Sequence, residues 1–352
     1  MSKYVFTGGH HNSALVVAQE LKKLGHTIYW YGHRYSSRDD RHDSAEYLEV
    51  KNSGINFFDL PAGRAKFNLT ELYHLPLGFL AALRLLRMHR PNAIITFGSY
   101  LGAATALAGF FLRIPIFLHE QTVSVGKANR LIGFFARRIY LTWDSSLANF
   151  KSTKSKVVGL PLRESILNGI KKKLFSRDKP TILVMGGKIG AHEINRFVFE
   201  NITTLIKKYN IIHQTGTHSN TGDYEQAIII KNNLGELAQY YQPQGYITEN
   251  EIGSYLHSVD YYLGRSGAHI CFELLFTHLR AILIPLPHAA GDEQLKNARL
   301  LEKYNLARII PQTSLTLARF SSELTTLKQS KVTNFSPLPV ATRTIIHELS
   351  NL

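Results

Sequence analysis

Cysteine is nearly absent from this chain of 352 residues, and its absence limits the class of protein. With Cys271 alone, no internal disulfide framework can form, and the composition is typical of a reducing cytosol. No Walker phosphate loop and no cluster of metal-ligating residues is evident in the sequence. The N-terminus lacks the basic, apolar and small-residue pattern of a signal peptide. We therefore expect a cytosolic protein without a tightly bound metal or other cofactor.

Long uncharged runs are also scarce. Residues 92–112 form a stretch of 21 residues without charge, which is long enough to span a bilayer. Phe97-Gly98-Ser99-Tyr100 interrupts this stretch, with a strand pattern before it and a helix of small residues after it. Because lipid does not tolerate irregular, unpaired backbone, the sequence predicts that this stretch lies in an α/β core and not in a membrane.

Acidic residues are fewer than basic ones, and most of this difference lies in the first half of the chain. Residues 1–163 carry 21 Lys or Arg and 10 Asp or Glu, whereas residues 164–352 carry 20 and 16. An excess of positive charge would suit an anionic membrane or a nucleic acid as the partner. The same excess is also explained by a basic surface that only keeps the protein soluble. A nucleic-acid binder needs aromatic residues interleaved with basic ones, and the sequence has no such motif. We therefore expect no nucleic-acid partner.

Short apolar runs alternate with helical patterns along the first half. The predicted strands are residues 4–7, 27–32, 56–60, 93–97, 115–119 and 138–143. Between the first two strands lies a helix, for which Asn12 or Ser13 is the expected N-cap and Gly25 the expected end. Strand, helix and strand in this order predict βαβ units, and hence a doubly wound parallel sheet with helices on both faces.

The pattern restarts after a polar, lysine-rich stretch at residues 167–180. The predicted strands of the second half are residues 181–185, 211–215, 240–246, 261–263 and 281–285. We predict two Rossmann-like α/β domains, an N-terminal one at residues 1–163 and a C-terminal one at residues 164–340. The ligand-binding ends of their strands should face a central cleft. A C-terminal helix at residues 341–352 should pack back toward the N-terminal domain.

Three predicted strands end in a glycine turn that leads into a helix. The turns are Thr7-Gly8-Gly9-His10, Gly186-Gly187-Lys188-Ile189-Gly190-Ala191 and Gly264-Arg265-Ser266-Gly267-Ala268-His269. Glycine lets backbone amides approach a ligand, and a helix N-terminus favours anions, so such turns are typical of phosphate binding. Loop geometry alone also explains each turn taken singly. His10 adds an imidazole, which can act as a base or donate to a phosphate.

Polar side chains follow the turns of the second half. Glu273 comes seven residues after Ser266, so we expect both on one helix face, where the carboxylate suits a ribose diol. Asp292 is the expected cap of a later helix and places Gln294 and Asn297 on one side of it. Amide side chains both donate and accept hydrogen bonds, which suits sugar hydroxyls.

A second polar cluster is predicted in the first half. His119 and Glu120 stand at the end of a predicted strand, and Asn129 lies on the helix that follows. We expect this second polar cluster to face the same cleft as the polar side chains of the second half.

These segments, in this order, resemble the MurG family of peptidoglycan N-acetylglucosaminyltransferases, which has the GT-B fold and belongs to glycosyltransferase family 28. No single motif decides the resemblance, but six in register are specific and extend over nearly the whole chain. They are Thr7-Gly8-Gly9-His10, His119-Glu120-Gln121 with Gly126 and Asn129, Gly159-Leu160-Pro161-Leu162-Arg163, Gly186-Gly187 with Gly190-Ala191, Arg265-Ser266-Gly267-Ala268 with Glu273, and Pro285-Leu286-Pro287-His288 with Gln294 and Asn297.

The resemblance implies that UDP-GlcNAc is the donor and binds mainly to the C-terminal domain. Each part of the donor then has its own implied contacts. These are Arg163 and the backbone of Tyr246 and Ile247 for the uracil, Gly187, Lys188, Ser266, Gly267, Ala268 and His269 for the diphosphate, Glu273 for the ribose, and Gln294 and Asn297 for the GlcNAc hydroxyls.

The resemblance also implies an acceptor, MurNAc-pentapeptide linked to undecaprenyl diphosphate, whose C4 hydroxyl receives GlcNAc with inversion to form a β-1,4 link. The implied acceptor-binding residues lie in the N-terminal domain and are Thr7, Gly8, Gly9, His10, His119 and Asn129. His10 is the first candidate for the general base, and Glu120 is its rival. A Mg²⁺ ion bound together with the substrate diphosphate remains an open alternative.

Two basic amphipathic segments suit the plane of an anionic membrane. In residues 72–90, Phe79, Leu80, Leu83 and Leu86 are apolar, and Arg84, Arg87, His89 and Arg90 are basic. Residues 131–138 repeat the pattern. Each helix is equally explained as a cover for the sheet, but a lipid-linked acceptor favours a peripheral protein on the cytoplasmic face of the bacterial plasma membrane.

Other functions fit the same architecture. One alternative is a GT-B enzyme that acts on a different lipid-linked acceptor, and another is a UDP-GlcNAc 2-epimerase, which would need no acceptor. A third is a nucleotide-sugar-binding protein that has lost catalysis. The first glycine turn supports this last alternative, because Thr7-Gly8-Gly9-His10 is shorter than the corresponding loop of the family.

Overall fold

The chain forms two compact units in a computed structural model. The structure describes residues 1–35, 43–62, 69–176, 179–187, 190–216, 221–335 and 339–351, and for residues 69–75 and 290 it describes the backbone alone. One unit comprises Met1–Leu162 with Pro339–Leu352, and the other comprises Arg163–Leu338. We call them unit 1 and unit 2.

Unit 1 contains a seven-stranded parallel sheet with the strand order β3-β2-β1-β4-β5-β6-β7. Its strands are β1 (Lys3–Thr7), β2 (Thr27–Gly32), β3 (Asn56–Asp59), β4 (Ala93–Thr96), β5 (Ile116–Glu120), β6 (Arg138–Leu141) and β7 (Ser155–Val157). Its helices are α1 (His11–Lys23), α2 (Ala45–Asn52), α3 (Leu69–His89), α4 (Ser99–Phe111), α5 (Lys127–Phe135) and α13 (Ala341–Ser350).

Helices cover both faces of this sheet, because alternate residues of each buried strand point to opposite sides. Tyr4 and Phe6 of β1 pack with α1 and α13, whereas Val5 packs with α3, α4 and α5. The Tyr4 hydroxyl also donates to the Leu349 carbonyl over 3.0 Å. The last helix of the chain is therefore part of the unit 1 core.

Unit 2 contains a six-stranded parallel sheet with the strand order β10-β9-β8-β11-β12-β13. Its strands are β8 (Thr181–Met185), β9 (Asn210–Gln214), β10 (Tyr241–Gln244), β11 (Tyr261–Gly264), β12 (Arg280–Leu283) and β13 (Ala307–Ile309). Its helices are α6 (Glu164–Leu167), α7 (His192–Lys208), α8 (Asp223–Asn233), α9 (Ile252–Ser258), α10 (Ala268–Thr277), α11 (Glu293–Lys303) and α12 (Leu317–Gln329). Both sheets have the doubly wound order that the sequence predicts, in which neighbouring strands are not always consecutive.

The predicted strands are confirmed, but two edge strands, β7 and β13, were not predicted. Each has only three residues and pairs with one neighbour. The uncharged residues 92–112 divide between β4 and α4, as predicted. Within the described part of the chain, no helix combines the length and the hydropathy that a membrane span requires.

One predicted helix cap is wrong, and a second is confirmed in its position alone. The N-cap of α1 is His10 and not Asn12 or Ser13, which lie inside the helix, and no side chain caps it. Asp292 does occupy the N-cap position of α11, but its φ of 54° is left-handed and its side chain makes no capping hydrogen bond. The expected end of α1 is confirmed, because Gly25 follows the C-cap residue Leu24 with a φ of 85°.

Candidate active site

The first glycine turn of unit 1 connects β1 to α1 and lies directly against the turn after β4. A Cβ atom on Gly9 would lie 2.7 Å from the Phe97 carbonyl oxygen and 2.7 Å from the Gly98 carbonyl carbon. Backbone atoms cannot move aside as a flexible side chain does, so this position requires glycine. The close packing brings the turn and the N-terminus of α4 to the same edge of the sheet.

His10 is half-buried at this edge, and its ring is held by one hydrogen bond. The His10 Nδ1 atom lies 3.2 Å from the Phe97 carbonyl oxygen. Since a carbonyl oxygen only accepts, Nδ1 carries the proton of the neutral ring, and Nε2 keeps a lone pair that can accept a proton. The geometry therefore suits a general base.

Glu120, the rival base, is buried and fully engaged. Its Oε1 accepts hydrogen bonds from the Thr122 amide over 2.8 Å and from the Thr122 hydroxyl over 2.7 Å. Its Oε2 accepts from the Asn129 side-chain amide over 2.8 Å. Glu120 is 1% exposed, and both of its carboxylate oxygens accept hydrogen bonds from within the chain. It therefore holds the β5–α5 loop in place and presents no unbonded oxygen to a substrate.

His119 is buried beside Phe97, with ring centroids 5.1 Å apart. Burial lowers the pKa of His119 to about 4, so the ring is neutral at physiological pH. Its Nε2 lies 3.0 Å from the Gly159 carbonyl oxygen and therefore donates to it. His119 thus fixes the Gly159 turn, and the structure does not expose it as an acceptor-binding group.

A half-buried carboxyl group beside the first glycine turn was not identified from the sequence. A Cβ atom on Gly8 would lie 2.5 Å from Glu46 Oε1, and the Trp30 indole donates to the same oxygen over 2.8 Å. Burial raises the pKa of Glu46 to about 7, although the Trp30 hydrogen bond opposes this effect. Only the folded chain brings Glu46 beside Gly8, and no local sequence signal marks it.

This raised pKa predicts a pH-dependent effect of Glu46→Gln on stability. The pKa of Glu46 is about 7 in the folded protein and near 4.5 in the unfolded chain, so the folded state holds the proton more tightly. This contribution to stability is fully present below pH 4.5 and is lost as the pH rises through about 7. Glu46→Gln should therefore become more stable relative to the unmodified chain between pH 5 and pH 8, by on the order of 2 kcal/mol. Urea unfolding at both pH values measures this difference. Glu20→Gln is the control, and an equal pH trend in both variants would contradict the argument.

In unit 2, the glycine turn after β8 is held by a side chain from the neighbouring strand. Gln214 ends β9, and its amide donates to the Gly187 carbonyl over 2.9 Å. The Gln214 carbonyl oxygen accepts from the Ile247 amide over 2.9 Å. Gln214 therefore links the predicted phosphate turn to the predicted uracil segment, and it is a site residue that the sequence did not indicate. Lys188 lies outside the described residues.

Arg163 and Glu273 are brought together by the fold. Glu273 lies in α10 with 2% of its side chain exposed, and its Oε1 lies 3.2 Å from Arg163 Nη2. Burial raises the pKa of the Glu273 carboxyl, and the Arg163 guanidinium opposes the increase. Glu249 approaches the same guanidinium at 3.7 Å. The residues predicted to meet the ribose and the uracil thus form one buried ion pair.

The predicted diphosphate and GlcNAc residues also form a common network. The Ser266 hydroxyl donates to the Gln294 carbonyl over 2.9 Å, and the Asn297 amide donates to the Ser266 carbonyl over 3.2 Å. The Gln294 side chain accepts from the Leu286 amide over 2.9 Å. The prediction that Ser266 and Glu273 share one helix face is wrong, because α10 begins at Ala268 and Ser266 precedes it.

The N-terminus of α10 is the remaining part of this edge. Gly267 is its N-cap, and Ala268 and His269 begin the helix, so their amides point to where an anion is favoured. Tyr246 is 37% exposed, whereas Ile247 is buried and its amide is bonded to Gln214. The predicted donor residues Gly187, Tyr246, Ile247 and Ser266 to His269 therefore follow the carboxyl ends of β8, β10 and β11.

Comparison with known proteins agrees with this arrangement. A transferase from Shouchella clausii named UDP-N-acetylglucosamine--N-acetylmuramyl-(pentapeptide) pyrophosphoryl-undecaprenol N-acetylglucosamine transferase is 29% identical over 348 residues, which cover 95% of this chain and 93% of that protein. The crystal structure of Acinetobacter baumannii MurG has a TM-score of 0.74 at 21% identity and covers 100% of both chains. A putative UDP-N-acetylglucosamine 2-epimerase from Listeria monocytogenes has a TM-score of 0.67 at 13% identity, over 99% of this chain and 96% of that one.

The two parallel-sheet α/β units have the GT-B fold. Residues 6–141 match the glycosyltransferase family 28 N-terminal domain, and residues 181–344 match the glycosyltransferase family 28 C-terminal domain. The chain therefore belongs to glycosyltransferase family 28 and is a MurG-like transferase.

Proposed function

We propose that this protein transfers GlcNAc from UDP-GlcNAc to the C4 hydroxyl of MurNAc-pentapeptide linked to undecaprenyl diphosphate, with inversion at C1. The names of its relatives support the two substrates. The observation that carries the proposal is the position of His10, because its hydrogen bond to Phe97 leaves Nε2 available for the proton of an acceptor hydroxyl.

The reaction is a single displacement. His10 removes the proton of the C4 hydroxyl while the C4 oxygen forms a bond to C1 of GlcNAc. The bond between C1 and the β-phosphate oxygen breaks, UDP leaves with the electron pair, and the proton remains on His10. The N-terminus of α10 and the Gly186-Gly187 turn support the departing diphosphate through backbone amides. By resemblance, Lys188 would add a positive charge.

Incubation of the full chain with radiolabelled UDP-GlcNAc, with and without a short-chain lipid-linked MurNAc-pentapeptide, tests the proposal. We expect label in the lipid product and UDP release only when the acceptor is present. Epimerisation of free UDP-GlcNAc without an acceptor would establish the epimerase alternative instead. Donor binding without turnover on any lipid-linked sugar would establish a binding protein that has lost catalysis.

The lipid part of the acceptor suggests where unit 1 meets a membrane. The last turn of α4 and the packed helices α3 and α5 expose five large apolar side chains, which we call the apolar edge: Leu80, Phe110, Phe111, Leu131 and Phe134. Phe79 packs on Phe111 with centroids 5.8 Å apart, and Phe110 packs on Phe135 at 4.9 Å. Exposed cations lie close to these residues in sequence, namely Arg84, Arg87, Arg113 and Arg130.

Two residues of the predicted membrane segment do not belong to this surface. Leu86 is buried in the core of unit 1, and His89 is buried with its Nδ1 2.8 Å from the Tyr31 hydroxyl. Leu86 and His89 lie on the face of α3 that packs on the sheet. The part of α3 that can meet a membrane therefore contains fewer residues than the sequence predicted. We include in the proposal that this edge docks on an anionic membrane at its cytoplasmic face.

Phe111→Asp together with Phe134→Asp should weaken binding to phosphatidylglycerol-containing vesicles at least about tenfold, because each buried Phe contributes about 1.5–3 kcal/mol. Cosedimentation with the vesicles measures this loss. Ile170→Asp is the matched control, since Ile170 is 71% exposed and Phe134 is 73% exposed. Equal binding by the double variant and the unmodified chain would show that the apolar edge does not dock.

A further inference from the structure

A cavity of about 530 Å³ lies in unit 1 at the amino ends of β5, β6 and β7. Phe117, Arg138 and Lys156 line it from the sheet, and Glu348 lines it from α13. Its volume is in the range of small-molecule sites, which is roughly 300–1,000 Å³. The cavity therefore has the size of a ligand site, and its lining contains none of the residues of the candidate active site.

This cavity is separate from the candidate active site. His10 and Glu120 lie at the carboxyl ends of β1 and β5, whereas Phe117 and Arg138 lie at the amino ends of β5 and β6. From Phe117 to Glu120 the strand advances roughly 10 Å. A ligand in the cavity would therefore not occupy the position of the transferred sugar.

The charged residues of the cavity lining are mainly cationic. Arg137, Arg138 and Lys156 carry three positive charges, and Glu348 carries one negative charge. Within the described part of the chain, the Arg137 guanidinium has no hydrogen bond or ion pair. Its five N–H donors in a planar fork match the oxygens of a phosphate group. Thr153 adds a hydroxyl to the same lining.

Glu348 orients the other two cations instead of neutralising the whole cavity. Its Oε2 accepts from Arg138 Nε over 3.2 Å and from the Tyr140 hydroxyl over 3.0 Å. Its Oε1 lies 3.5 Å from Lys156 Nζ. The cavity therefore holds a net positive charge on side chains that are already positioned.

We propose that this cavity binds the phosphate of a phosphate ester, the group shared by anionic lipid head groups and small phosphorylated metabolites. Its rim lies near the apolar edge, since Arg137 follows Phe134 by three residues and Lys154, next to Thr153, donates to the Phe134 carbonyl over 3.2 Å. This proximity favours a phospholipid head group as the source. The proposal does not depend on the proposed reaction.

Binding of two probes tests this inference with the full chain. The first probe is sn-glycerol 3-phosphate in solution, followed by calorimetry, and the second is vesicles of phosphatidylglycerol and phosphatidylcholine. Arg137→Gln with Lys156→Gln removes two cavity charges, and Lys207→Gln with Lys208→Gln removes two exposed charges of unit 2, outside both the cavity lining and the apolar edge. Glu348→Gln removes the competing carboxylate and is compared with Glu20→Gln. Thermal unfolding checks that each variant is folded.

We expect the cavity double variant to lose about tenfold or more in affinity for a probe that the unmodified chain binds, because two charge-assisted contacts are removed. Its control should change less than about twofold, and Glu348→Gln should bind more tightly than Glu20→Gln. Loss with vesicles alone identifies a lipid head group, and loss with glycerol phosphate as well identifies a site open to soluble esters. Equal losses in both double variants, or no binding of either probe, would overturn the proposal.

Discussion

His10→Gln should reduce kcat for GlcNAc transfer about 10²–10⁴-fold while leaving the KM for UDP-GlcNAc nearly unchanged. The glutamine amide can still donate to the Phe97 carbonyl, as His10 Nδ1 does, but it cannot accept the proton of the acceptor hydroxyl. His10→Ala should lose as much activity as His10→Gln. Steady-state kinetics with both substrates varied provide this measurement.

The same kinetics distinguish a base from a phosphate contact. If His10 only binds the acceptor diphosphate, glutamine should restore part of the activity, and the main change should be a higher KM for the acceptor. His11→Gln is the matched control, because the neighbouring His11 ring bonds to Glu49 over 3.1 Å. Glu120→Gln should lower the melting temperature, since it disturbs three buried hydrogen bonds. A large loss of kcat in Glu120→Gln at unchanged stability would favour Glu120 as the base.

Arg163→Met should destabilise unit 2 by about 3–5 kcal/mol, because it leaves the buried Glu273 carboxylate without its cation. Urea unfolding followed by a probe in unit 2 measures the change. Arg196→Met is the matched control in the same unit, since Arg196 meets Glu193 at 2.6 Å with both side chains exposed. An exposed pair of this kind contributes at most about 1 kcal/mol.

A second substitution tests the physical reason. Adding Glu273→Gln to Arg163→Met removes the uncompensated charge and should recover much of the lost stability. The double variant should then fold but bind UDP-GlcNAc more weakly, because the implied ribose and uracil contacts are both lost. If Glu273→Gln gives no recovery, the buried ion pair is not the cause of the destabilisation.

Most of the fold could be predicted because the central strands are continuous apolar runs. β4, for example, has four buried residues, and its pattern is visible in the sequence alone. The edge strands β7 and β13 carry Lys156 and Arg308 among only three residues each, and they exist through pairing with one neighbour. Pairing between distant segments leaves little signal in such short stretches.

The candidate site was predictable where it depends on local geometry and not where it depends on distant contacts. The glycine turns follow their strands directly, so their positions were found. Glu46 lies against Gly8, which is 38 residues away in sequence. Gln214 accepts a hydrogen bond from Ile247, which is 33 residues away. The ion pair of Arg163 and Glu273 also joins distant segments. Nothing in a single sequence marks such pairs.

The structure of the product tests the central claim most directly. We would isolate the lipid product formed from UDP-GlcNAc and the lipid-linked MurNAc-pentapeptide, and determine its linkage by NMR. The proposed reaction predicts GlcNAc attached to C4 of MurNAc in the β configuration at C1. An α-linked product, attachment at another hydroxyl, or free GlcNAc in place of a disaccharide would contradict it.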